Sequence, residues 1–127
     1  MTSYTWEHIH LRSPDPGVTA EWYRDKLGAE IIRTPQPDGS TRYDLDLTGQ
    51  RIFIAKADPA TTGASPQMPY MGLDHFGLTV ENIDAAVDEL KGKGVVFTVE
   101  PKTIRPGVRI AFLIAPQNVS IELIQRG

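Results

Sequence analysis

The sequence predicts an α+β protein built from two βαβββ modules, and three observations carry that expectation. The first is an internal repeat: Glu7-His8-Ile9-His10-Leu11 aligns with Asp74-His75-Phe76-Gly77-Leu78, 67 residues further on. In both copies an acid precedes a histidine and alternating apolar residues follow. The second is that each copy leads into a capped helical stretch closed by a glycine, Gly28 and Gly94, which lie 20 and 19 residues after their histidines. The third is that three short strand-like runs, separated by turn residues, follow each glycine.

The elements follow in order. The first strand holds residues 8–12. Asp15-Pro16 reads as a helix N-cap followed by proline at the first helical position. The predicted helix covers 15–27, with Val18, Trp22, Tyr23 and Leu27 as its apolar stripe, and Gly28 suits the left-handed residue at a helix end. Strands are expected at 29–33, 41–47 and 51–55, with turns at 35–39 and at Thr48-Gly49-Gln50. Residues 59–70, PATTGASPQMPY, have a linker's composition. They divide module one, about 1–58, from module two, about 73–127. In module two, Asn82 caps a helix over 82–93 whose Ile83, Ala86, Val87 and Leu90 recur at helical spacing. Strands are expected at 95–99, 108–114 and 119–125, with Pro106-Gly107 and Pro116-Gln117-Asn118 as turns. A single module of this size buries little surface. The two are therefore expected to pair, with helices outside and curved sheets around a shared cavity.

The bulk properties narrow the function. With 127 residues and 40% hydrophobic content the chain suits one globular domain. A net charge of −3 gives no basic footprint for nucleic acid or an anionic membrane. No apolar run approaches the ~20 residues of a membrane span, and the first ten residues lack a signal-peptide layout. Without cysteine, disulfides and thiolate metal sites are excluded, so any metal must be held by His, Asp or Glu. A cytoplasmic location is compatible with these features.

Strand alternation then selects side chains. If Ile9 and Leu11 pack on the helix, His8, His10 and Arg12 share the opposite face. By the same rule His75, Gly77 and Thr79 face the cavity, as do Ser120, Glu122 and Ile124. His8, His75 and Glu122 thus fall on one expected surface. Two imidazoles and a carboxylate suit Zn, Fe(II), Mn, Ni or Co and leave open positions for substrate. Each residue alone would read as an ordinary strand side chain; together, at repeat-related places, they read as a metal site. Alternation in 41–47 turns Arg42, Asp44 and Asp46 to the cavity, near Arg51 and Arg12. Internal ion pairs and a carboxylate-bearing substrate held by arginine follow, with solvation at a sheet edge as the other reading of the two aspartates.

The stretches EHIHLR, WYRDKLGAEII, LDHFGLTVENIDAAVDELKGKGV and FLIAPQNVSIELIQ together resemble the vicinal oxygen chelate superfamily, that of glyoxalase I, methylmalonyl-CoA epimerase, extradiol dioxygenases and the bleomycin- and fosfomycin-resistance proteins. The resemblance covers nearly the whole chain as a single glyoxalase-like domain. It implies a divalent metal ligated by His8, His75 and Glu122. It places Phe53, which cannot bind a metal, where a fourth ligand belongs; Gln50 could replace it only if the register slips. It implies a small substrate chelated through vicinal oxygens, and commonly a homodimer. The implied function is a lyase or isomerase of glyoxalase or epimerase type. His10, some ~6.6 Å along the strand from His8, is then the candidate base, or else a polar cavity residue; Arg12, Arg42, Asp44, Asp46, Arg51 and Phe53 are candidate substrate contacts. The three-ligand set also fits an Fe(II) extradiol dioxygenase, although Phe112 and Asn118 stand where that group's terminal signature has tyrosine and glycine. A metal-free antibiotic-binding protein is the alternative outside enzymes.

Overall fold

A computed structural model describes all 127 residues, Met1–Gly127. The chain divides into two compact units, Met1–Ala64 and Ser65–Gly127. Each is a βαβββ module.

In the first unit β1 (His8–Ser13) leads to α1 (Pro16–Leu27), then β2 (Glu30–Pro35), β3 (Thr41–Leu47) and β4 (Gln50–Lys56). The sheet order is β1-β4-β3-β2, with β1 parallel to β4 and the other pairs antiparallel. Asp15 caps α1 by accepting the N–H of Val18 at 3.2 Å. Gly28 ends it in the left-handed conformation, φ 74°. The helix lies on one sheet face, over Leu45, Leu47, Ile52 and Ile54, all buried.

The second unit repeats the plan with β5 (Phe76–Thr79), α2 (Ile83–Gly92), β6 (Phe97–Arg105), β7 (Val108–Ala115) and β8 (Val119–Arg126), in the order β5-β8-β7-β6. Asn82 caps α2 by accepting the N–H of Ala85 at 3.0 Å, and Gln125 of β8 accepts that of Ile83 at 2.8 Å. Ile83, Val87 and Leu90 are buried, as are Leu113, Ile121 and Leu123. Neither helix is long and apolar enough to cross a membrane.

Three expectations are corrected. Val18 is 61% exposed, and the face of α1 turned inward is Thr19, Ala20 and Tyr23. Thr19 can be interior because its hydroxyl pairs with that of Ser13 at 2.7 Å. The runs after the helices begin later than expected, because Ala29 and Val95 spend their N–H groups on the carbonyls of Tyr23 and Leu90, closing the helices. The strand after α2 also runs on through Pro101 to Arg105, which a proline permits because β6 is an edge strand.

Candidate metal centre

The parallel strand pair of each unit sets out its candidate residues. In the first unit the register is His8 with Arg51 and His10 with Phe53. In the second, Phe76 meets Ile121 and Gly77 meets Glu122. Phe53 and Glu122 therefore hold equivalent places. Gln50 stays outside: its backbone pairs with Leu47, and its side chain donates to the Arg51 carbonyl at 3.1 Å.

His75 sits immediately before β5, with its Nδ1 2.7 Å from Asp74 Oδ2 and its Nε2 3.3 Å from Glu122 Oε1. Phe112 of β7, in register with Glu122, packs edge-on against the imidazole at 4.8 Å between ring centroids. Both ligand candidates are partly shielded, with side chains 30% and 20% exposed. Two donors each ~2.1 Å from one cation, at cis angles, lie ~3.0–3.4 Å apart. The observed 3.3 Å fits that spacing. If the ring hydrogen sits on Nδ1 beside Asp74, Nε2 is an acceptor facing Glu122 Oε1, an arrangement that a cation between them would relieve. Gly77 leaves space here: a Cβ on it would stand 3.6 Å from Glu122 Oε1.

The first unit is built differently. His8 stacks on Phe53 with centroids 4.0 Å apart and planes at 24°. Its Nδ1 lies 3.5 Å from Glu7 Oε1, a looser version of the His75–Asp74 contact. His10 stands edge-on to Phe53 at 6.2 Å and to His8 at 6.1 Å. The Arg42 guanidinium lies 4.9 Å from the Phe53 ring centre. Its Nε also donates to both oxygens of Asp44, at 3.2 and 2.9 Å, which keeps that buried carboxylate paired. Arg51 Nε lies 3.5 Å from Asp46 Oδ2. Arg12 is exposed.

The structure thus brings together His75 with Glu122, and His8 with His10, Phe53, Arg42 and Asp44. Within neither unit do three or more His, Asp or Glu side chains gather into a ready-made metal cage. Asp74, Glu7 and the ring of Phe112 were not among the residues expected from the sequence. The signal for the two acids was present, since an acid precedes the histidine in both copies of the repeat.

The family model described as the Glyoxalase/Bleomycin resistance protein/Dioxygenase superfamily matches residues 5–123, and the chain belongs to this superfamily. It is 32% identical to an ethylmalonyl-CoA/methylmalonyl-CoA epimerase from Cereibacter sphaeroides, over 84% of each chain. It is 27% identical to a "Probable lactoylglutathione lyase" from Vibrio cholerae, over 98% of this chain and 93% of that one. A structure of a mutant of the fosfomycin resistance protein FosX from Listeria monocytogenes, complexed with Mn(II) and a dihydroxypropylphosphonic acid, superposes with a TM-score of 0.72. That match covers 99% of this chain and 93% of the other at 19% identity, and it establishes the shared fold.

Proposed function

We propose that this protein is a metal-dependent enzyme of lyase or isomerase type, acting on a small substrate chelated through vicinal oxygens, with His8, His75 and Glu122 as ligands of one divalent ion. The observation that carries the reading is the His75–Glu122 pair, whose 3.3 Å donor spacing matches two adjacent ligands of one cation. The epimerase and lyase named among the relatives support the choice of reaction type.

When bound, such an ion polarises substrate oxygens and stabilises negative charge that develops on them. The chain's own residues do the rest. His10 removes and returns a proton next to the polarised carbonyl. It is exposed on the sheet face that carries His8, and no ion pair holds it away from a substrate. Arg12, Arg42 and Arg51 offer positive charge to an anionic substrate group, while Asp44 and Asp46 hold the second and third of these guanidiniums in place. Phe53 presents an apolar wall beside His8.

An Fe(II) ring-cleaving dioxygenase is the second reading. Phe53 favours it, because this residue removes the fourth ligand and leaves a two-histidine, one-carboxylate set.

Metal analysis of the purified protein, with titration of the metal-free form by Mn, Fe, Co, Ni and Zn, tests both. One ion per chain is expected, with affinity reduced at least about 100-fold in His8→Ala, His75→Ala and Glu122→Ala, more than loss of a supporting residue costs. Failure of the parent to bind any of these metals removes the enzyme reading and favours a metal-free binding protein. A His8→Ala variant that binds like the parent removes the three-ligand set. Proton exchange next to a carbonyl marks the lyase or isomerase; iron with oxygen uptake on catechols marks the dioxygenase.

A further inference from the structure

We infer that Asp74 is a positioning residue that fixes which nitrogen of His75 is free. The Asp74 carboxylate meets Nδ1 of His75 at 2.7 Å, the length of a strong charge-assisted hydrogen bond. The Glu7 carboxylate approaches the same ring nitrogen of His8, at 3.5 Å. Adjacent residues of an extended strand point to opposite faces, so regular strand geometry does not produce these contacts. Both acids lie just ahead of their sheets: Asp74 and His75 precede β5, and Glu7 precedes β1.

A neutral imidazole has one N–H. With that hydrogen held on Nδ1 by Asp74, the Nε2 lone pair is the one presented to Glu122. The opposite tautomer would donate from Nε2 to Glu122 and place two acceptors against each other at 2.7 Å on the Asp74 side. His10 follows Ile9 and has no such tether, which separates it from the two histidines that follow an acid. Glu7 is more exposed than Asp74, 78% against 54%, and its 3.5 Å contact is longer than a hydrogen bond, so it does not fix His8 as Asp74 fixes His75.

The tautomer stands by itself; its consequence for metal affinity rests on the proposed function. The test therefore has two readouts. Long-range proton–nitrogen NMR spectra of the metal-free protein, recorded at alkaline pH where imidazoles are neutral, report which nitrogen of His75 carries the hydrogen. The parent is expected to show the Nδ1–H form. Asp74→Ala should move His75 toward the Nε2–H form, and Asp74→Asn, which keeps an acceptor oxygen, should restore part of the shift. Titration with Mn or Zn alone should show Asp74→Ala weakened about 10- to 100-fold, the usual range for a residue that supports a ligand, with Asp74→Asn between it and the parent. Glu7→Ala should lose less than Asp74→Ala. An Nε2–H tautomer in the parent, or a tautomer unmoved in Asp74→Ala, overturns the inference. A parent that binds no metal but whose His75 tautomer still depends on Asp74 upholds the positioning role and overturns the metal reading alone.

Discussion

The two units present nearly interchangeable faces to their helices and quite different faces on the other side. Toward the helices both offer aliphatic rows: Leu45, Ile52 and Ile54 in the first, Leu113, Ile121 and Leu123 in the second, all buried. On the open faces the register-equivalent rows read His10–Phe53–Asp44 and Gly77–Glu122–Phe112. Acid and aromatic have changed places. In the second unit the acid stands on the strand next to the repeat histidine and meets its Nε2. In the first the aromatic stands there and stacks on the histidine, while the acid lies one strand further away, bound by Arg42. One scaffold thus gives a histidine–carboxylate pair in one copy and an aromatic, cation-bearing surface in the other. Packing against the helix constrains the buried row to aliphatic residues. The row on the other face is not aliphatic in either unit, and it is there that the two copies part.

The sameness of the buried faces is the claim with the largest expected effect. Ile52 pairs with Ile9 and Leu45; Ile121 pairs with Phe76 and Leu113. Both are essentially inaccessible, at 1% and 0% exposure. Ile52→Ala and Ile121→Ala should each destabilise by about 2–5 kcal/mol through lost burial and the cavity left behind. Urea denaturation of the two variants checks this. A substantial loss in one and almost none in the other would break the equivalence.

The difference between the open faces can be sharpened by erasing it. Phe53→Glu puts the second unit's residue into the first unit's register. It removes the stack on His8 and the contact with Arg42, each worth on the order of 1 kcal/mol. It also offers Arg42 a new carboxylate, so the net change in stability should stay within about 1–2 kcal/mol. On the proposed ligand set, affinity for Mn or Zn should rise about tenfold, or roughly 1.4 kcal/mol. Unchanged affinity would mean that position 53 does not supply a ligand even when it can.

Much of this contrast is legible in the sequence. The repeated acid–histidine pair, Asp15-Pro16, Asn82 and the closing Gly28 set the helices, because caps act locally. The alternation of Leu45 and Leu47 with Asp44 and Asp46 set the faces of β3, because a strand's period is two. The sheet-facing side of α1 was legible at Tyr23, which is fully buried, but not at Thr19 and Ala20. Thr19 is interior only because Ser13, on another element, satisfies its hydroxyl, while Val18 points outward without cost large enough to forbid it. The length of β6 was hidden by Pro101, whose tolerance depends on where the strand lies in the sheet. At the candidate site, Phe53 and Glu122 were readable as counterparts through the repeat. The contact of Asp74 with a particular nitrogen of His75 was not, because it depends on side-chain rotamers just outside the regular strand.

The smallest effect concerns the helix starts, another place where the units differ. The first turn of α1 carries no acid, whereas that of α2 carries Asp84, which accepts from Arg109 Nη1 at 2.6 Å. The hydrogen bond and charge of Arg109 hold the Asp84 carboxyl below its usual range. A carboxylate whose folded value is depressed adds stability above its unfolded value and loses it as pH falls through the folded one. Urea midpoints of the parent and Asp84→Asn should therefore differ most near neutrality, with the parent higher, and converge in acid. The pair is solvent-exposed, so the gap should be small and should shrink further in high salt. A gap that persists into acid would place the effect in the asparagine substitution itself rather than in the ion pair. The start of α1 offers a control: Asp15 there acts as a cap, accepting a backbone N–H at 3.2 Å, and has no arginine partner. Asp15→Asn retains the capping oxygen and should leave both the midpoint and its pH dependence closer to the parent than Asp84→Asn does.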